Sequence, residues 1–408
     1  MPPTSGGRRE LARRLSAAVA TMHAAGDPLP TPAMVVDLDA FDHNAVDLVR
    51  RAGGKPIRVA SKSVRVPALL ERALRVDGIA GVLSFTLGEA LWLYEQGISD
   101  DLVVAYPTVD RTALTRLISS PGAASAITLM VDDIAHLDLV DALRHSLAVQ
   151  IRVAIDVDAG LRIGGQHVGP KRSPLYDPAS VVALAGAIEE RHGFRLVGVM
   201  TYEGQVAGLP DVVPTQRAKS LIVRGLKQAS RTQLEVRRQQ VADALAGVAE
   251  LEFWNAGGSG SVDWTAQDPV VTEVAAGSGL LVPALFDHYQ SFDPVPAALF
   301  ALPVVRRPST GIATVHGGGL VASGAAGRDR LPVPWIPEGL HLTALEGAGE
   351  VQTPLTGPAA SHLQVGDLVW FRHAKSGEPF EHTNKVRLLA DDAFVDLVPT
   401  YRGLGLAF

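Results

Sequence analysis

The residue best placed to act as a nucleophile is Lys62, which stands between two serines just past the run Ile57 to Val59. A lysine delivered by a buried strand into low-polarity surroundings has its charged form disfavoured, and the neutral amine can form a Schiff base with a carbonyl cofactor. Read alone, Lys62 fits a solvated lysine just past a strand end better than a nucleophile. A second chemistry lies in two glycine clusters, Asn255-Ala256-Gly257-Gly258-Ser259-Gly260-Ser261 and Gly277-Ser278-Gly279. Glycines let backbone N–H groups approach an anion closely, as a phosphate cradle requires. Each cluster alone also reads as a flexible turn. Together, a Schiff-base lysine and a phosphate cradle point to pyridoxal 5'-phosphate.

Other residues fit such a site. Arg162, two positions past Gly160, can hold an anionic oxygen with its fork of donors, or it pairs with Asp156 or Asp158. Tyr202 can stack on a cofactor ring, exchange a proton, or belong to the rim of the core. Lys171 and Arg172 are candidates for a substrate carboxylate or second anion, with solvated loop charges as the alternative. The stretch from Arg372 through His382 has the density of titratable groups expected of an acid/base site, and His373 is its candidate. No pair of histidines shows helical ligand spacing, so no metal site is expected.

The elements that must position these groups alternate regularly. Strands are predicted at Met34–Val36, Ile57–Val59, Ala80–Leu83, Leu102–Val104, Ile127–Val131, Ile151–Ile155, Leu196–Met200 and Leu251–Trp254, with helices between them, such as Leu87–Gln96, Pro178–Glu190 and Thr215–Gly247. Eight strand–helix units over about 250 residues are what a (β/α)8 TIM-type barrel needs. On that reading, polar residues at the C-terminal strand ends, including Asp37, Lys62, Asp156, Tyr202 and Asn255, face the barrel mouth. From about Pro294, prolines and glycines separate short apolar runs, which predicts a C-terminal β-rich domain. The expected organisation is α/β: residues 1–28 a helical extension, 29–292 the cofactor-binding barrel and 293–408 the β domain.

Composition bounds the function. With 408 residues, 47% of them apolar, the chain can bury a large core; a net charge of −6 with scattered lysines and arginines offers nothing to nucleic acid. The absence of cysteine excludes disulfides and thiolate chemistry. No run approaches the ~20 apolar residues that span a bilayer. A cytoplasmic location and no membrane partner are expected.

These motifs also carry a family resemblance. Thr31-Pro32-Ala33-Met34-Val35-Val36-Asp37 with Asn44, then Arg58 and Lys62, Asp158 to Gly164, Tyr202-Glu203-Gly204, Gly257-Gly258-Ser259 and Gly277-Ser278-Gly279 follow the order seen in fold-type III pyridoxal phosphate enzymes. From about Leu29 to the C-terminus the chain resembles the D-threonine aldolase and D-serine dehydratase branch of the alanine racemase-like barrels. Gly169 to Pro174, His373 to Glu378 and Val398 to Gly403 look like its amino acid deaminase/aldolase subgroup. The resemblance implies a Schiff base at Lys62, phosphate on the Gly257 and Gly277 loops, Arg162 near the cofactor ring, and a homodimer with a shared active site. Ala60, Tyr401 and Gly403 stand where metal-dependent members carry ligands, so the metal site looks lost.

The sequence therefore predicts a pyridoxal phosphate-dependent lyase, an aldolase or a dehydratase, acting on a small β-hydroxy-α-amino acid without a metal. Lys62, Tyr202, His373 and Tyr401 are its candidates for proton transfer. A racemase, a non-catalytic cofactor carrier and a cofactor-free sugar-binding or hydrolytic barrel are the alternatives.

Overall fold

Short β-branched runs bounded by turns form strands because branched side chains pack well on a pleated surface, and runs buried on both faces are apolar throughout. In the computed structural model, which describes residues 5–144, 146, 148–208, 211, 217–289 and 294–408, such runs build two compact units. One comprises Val46–Lys62, Leu70–Gly277 and Phe408; the other comprises the described parts of Met1–Ala45, with Ser63–Leu69 and Ser278–Ala407. The expected boundary at 292/293 lies outside the described residues, as does the predicted helix start at Thr215.

The first unit contains a closed barrel of parallel strands. Its order is Phe253–Ala256, Glu273–Ala276, Ile57–Ala60, Ile79–Ser84, Leu102–Val104, Ile127–Val131, Ile151–Asp156 and Phe194–Thr201, which returns to the first. Helix Pro178–Glu189 shows how the helices attach. Asp177 caps it by accepting the Ser180 N–H at 3.0 Å, and Pro178 opens it. Its buried residues Val181, Leu184, Ala185 and Ile188 recur at i, i+3, i+4 and i+7, one apolar stripe. That stripe packs toward strand Phe194–Thr201 and helix Arg217–Leu245, and each large side chain it buries contributes about 1.5–3 kcal/mol.

The strand count expected of the barrel holds, but one member is different. Ala33–Asp37, expected as the first barrel strand, belongs to the other unit, where it pairs antiparallel with Ala298–Ser309 and parallel with Lys385–Ala390. The eighth barrel strand is Glu273–Ala276, between Phe253–Ala256 and Ile57–Ala60. All five residues of Ala33–Asp37 are buried, and such a run looks the same in sequence whichever sheet receives it. Asp37 accordingly does not end a barrel strand. Its carboxylate accepts two hydrogen bonds from Arg14, at 2.9 and 3.1 Å.

The second unit is built on a nine-stranded, mostly antiparallel sheet, the β-rich domain expected. Helix Ser5–Ala24 places Leu11, Leu15 and Ala18 against Val35, Leu299, Trp335 and Trp370.

Candidate active site

Strand Ile57–Ala60 ends in a 3-10 turn that carries Lys62 at the C-terminal end of the barrel strand. That is the end at which parallel barrels place their chemistry. The turn is fixed from outside the barrel: Ser61 Oγ donates to Glu89 Oε2 at 2.8 Å, and the same oxygen accepts the Phe85 N–H at 2.9 Å. Below the lysine, Arg58 lies inside the barrel. It donates to both Glu273 oxygens at 2.7 and 2.8 Å and to both Asp101 oxygens at 2.8 and 3.0 Å. Asn255, expected at the cofactor, donates to Glu273 Oε1 at 2.8 Å and so belongs to this internal network.

The glycine loop follows strand Phe253–Ala256. Gly257 has φ +89°, in the left-handed region, and a Cβ there would fall 2.8 Å from Val274 Cγ1. A Cβ on Gly258 would fall 3.0 Å from Ala207 Cβ and 3.5 Å from Tyr202 Cε2. The loop therefore lies tight against the barrel rim and beside Tyr202. The Gly277 N–H donates to Ser259 Oγ at 3.3 Å, both residues within the barrel unit. Arg51 Nη2 donates to the Ser259 carbonyl at 3.1 Å and is held by Asp263 at 3.0 Å.

Beneath the loop lies a network that sequence reasoning missed. Glu203 Oε2 accepts the Gly257 N–H at 3.1 Å, and Oε1 accepts the hydroxyls of Ser261, at 3.1 Å, and Thr265. Arg238, fully buried on helix Arg217–Leu245, donates to Glu203 at 2.9 Å, to Asp268 at 3.1 Å and to Thr201. Glu203's place directly after Tyr202 at a strand end was a signal of a kind. Arg238, one arginine among several on a polar helix, carried none.

At the ends of other barrel strands, Arg172 lies over the rings of Tyr106 and Tyr202, 5.4 and 5.6 Å from their centres. Burial pushes the Tyr202 phenol up to about 12, with Arg172 opposing. Burial, helped by the Asp132 carboxylate, pushes Asp156 up to about 7, and Arg172 pulls the other way. Arg162, by contrast, stacks on Tyr176 at 3.6 Å and reaches Asp158 at 3.6 Å, the ion pair that the sequence left open. Asp158 also pairs with His167 at 2.9 Å. Arg162, His167, Lys171, Arg172 and Asp158 line a cleft of about 610 Å³ that carries more positive than negative charge.

Four expected site residues, Ser278, Gly279, His373 and Tyr401, lie in the sheet unit. His373 is buried; Nδ1 donates to the Ala298 carbonyl at 3.3 Å, which leaves Nε2 to accept from Ser376 Oγ at 3.0 Å. Burial first, and then Arg372, lower it to about 3. Its two nitrogens are thus occupied within its own unit. Ser278 Oγ meets Ser63 Oγ at 3.0 Å. Tyr401 is buried, and its N–H donates to the Arg65 carbonyl at 3.1 Å.

The profile of the alanine racemase N-terminal domain matches residues 36–282, more than half of the chain. The chain belongs to that family. Pyridoxal 5'-phosphate is the cofactor of these fold-type III barrels, and the barrel unit fits it: an amine at a strand end, a loop whose glycines a Cβ would obstruct, and a tyrosine ring beside that loop. Within the family, the chain is 26% identical over 258 residues to a D-threonine aldolase of Arthrobacter sp, which spans 62% of each chain. It is 29% identical over 182 residues to a D-threo-3-hydroxyaspartate dehydratase of Delftia sp. (strain HT23), 43% of this chain and 44% of that one. The chain thus covers less than two thirds of either relative. Among solved structures, a D-threonine aldolase from Filomicrobium marinum superposes with a TM-score of 0.76 at 22% identity, over 93% of this chain and 96% of that one. That likeness is one of fold.

Proposed function

We propose that this protein is a pyridoxal phosphate-dependent lyase that cleaves or dehydrates a small β-hydroxy-α-amino acid. One observation carries the reading: Lys62 stands at the C-terminal end of a barrel strand in the unit that also holds the Gly257–Ser259 loop. The family and its lyase relatives supply the direction.

When bound, the cofactor supplies a conjugated ring that accepts the electron pair left on Cα as one of its bonds breaks. Lys62 Nζ would hold the cofactor at its carbonyl carbon and would take or return a proton at the substrate. The Gly257–Ser259 loop with Gly277 receives the phosphate. Tyr202 covers the ring or, as a neutral phenol, donates to the β-hydroxyl. Arg172, with Lys171, holds a carboxylate at the mouth. His373, with both nitrogens engaged, acts as a structural group. Ala60, Tyr401 and Gly403 favour a reaction without metal. A cytoplasmic homodimer completes the reading. Among the described residues no helix is long and apolar enough to cross a membrane.

The test is the visible spectrum of the purified protein before and after borohydride, beside Lys62→Ala. A Schiff-base band that borohydride removes, with cofactor fixed to the Lys62 peptide, supports the reading. Protein that stays colourless after incubation with the cofactor overturns it. Products from D- and L-β-hydroxy amino acids, with and without chelator, then decide the reaction. The family match favours one second reading, an amino acid racemase; it predicts recovery of the opposite enantiomer in place of an aldehyde or keto acid.

A further inference from the structure

A carboxylate beneath a loop that receives phosphate works against anion binding unless it performs a task that no neutral group performs as well. Glu203 has such a task. It is fully buried, and its two oxygens accept the Gly257 N–H and the hydroxyls of Ser261 and Thr265, three donors from the loop and the short helix that follows it. Its charge is opposed by Arg238, also fully buried, whose remaining donors are spent on Asp268 and Thr201. The arginine thereby supports the carboxylate from below, and the carboxylate holds the loop from its inner side. Ser261 Oγ also accepts the Gly258 N–H at 3.2 Å, so two consecutive peptide N–H groups are oriented directly or indirectly by one carboxylate. A loop with positive φ at Gly257 has many competing conformations, and fixing it before the anion arrives removes the ordering cost from binding.

We infer that Glu203, held by Arg238, is a positioning residue that pre-shapes the Gly257–Ser261 loop for the cofactor phosphate. This rests on the reading that the barrel binds pyridoxal phosphate. Because Glu203 acts through the phosphate loop and not through Lys62, its loss weakens pyridoxal phosphate more than it weakens pyridoxal, which lacks the phosphate but retains the aldehyde.

The test titrates the full-length protein with each aldehyde and follows the Schiff-base absorbance, a readout independent of turnover. Glu203→Gln keeps the side-chain volume but offers Gly257 and Arg238 one neutral oxygen. The double variant Ser261→Ala/Thr265→Val leaves the Glu203–Arg238 pair intact and removes the two hydroxyl ties. Both are expected to raise the dissociation constant for pyridoxal phosphate about tenfold, as loss of hydrogen bonds to a charged group predicts, with that for pyridoxal changed less than about twofold. If Glu203→Gln does not fold, as judged by circular dichroism, the double variant decides alone. An unchanged ratio of the two constants, or equal loss of both ligands, overturns the inference. Wild-type protein that binds neither aldehyde refutes instead the proposed function.

Discussion

The Arg172 guanidinium lies 5.6 Å from the centre of the Tyr202 ring and 5.4 Å from that of Tyr106. Two aromatic faces hold the cation where strand ends converge, and cation–π attraction restricts where the fork can point. Arg172→Met is expected to raise KM for substrates with a second carboxylate about tenfold, the effect of one lost charged hydrogen bond, while neutral β-hydroxy amino acids change little. Steady-state kinetics on a paired anionic and neutral substrate check it. Equal effects on both would place Arg172 at the α-carboxylate.

Arg58 holds the inside of the barrel together through Glu273 and Asp101. Arg58→Met leaves the Glu273 carboxylate buried with only Asn255 as a donor from this network. Breaking a buried pair on one side costs about 3–5 kcal/mol, so thermal unfolding should fall by on the order of 10 °C. Pairing it with Glu273→Gln should restore part of the loss.

Asp156 titrates near 7 because burial and Asp132 disfavour its charge, Arg172 opposing and Asp158 adding to the repulsion. Its folded pKa exceeds the ordinary 3.8, so the folded state binds the extra proton between about 4 and 7 and stability falls as pH rises through that window. Above pH 7 the penalty is complete, on the order of 4 kcal/mol. Asp156→Asn should be more stable than the parent at pH 8 and no more stable at pH 4, measured by denaturant unfolding.

His373 predicts the opposite slope. With its pKa lowered to about 3 by burial and Arg372, it stays neutral in the folded state while the unfolded chain takes up a proton below about 6.5. The stability it contributes is present above pH 6.5 and lost as pH falls toward 3. An NMR titration should show no ring shift for His373 between pH 5 and 8; a midpoint near neutrality would return it to the candidates for proton transfer.

The parts of this protein that depend on near neighbours were legible in its sequence. The β-branched run before Lys62, the glycines at 257 and 258, the apolar stripe of Pro178–Glu189 and the change of texture near Pro294 each reflect local propensity or periodicity. So the barrel, the β-rich unit and the strand end bearing the lysine could be read. Sheet membership of Ala33–Asp37 could not, because a fully buried run has no periodicity to name its partners. Nor could the charge pairings, since Glu203 meets Arg238 across 35 positions and Arg58 meets Glu273 across 215. A buried charge needs a partner, but sequence does not say which one. Only the packing of strands into a closed barrel brings particular charges within hydrogen-bond reach, and that packing settled which residues hold the site in shape.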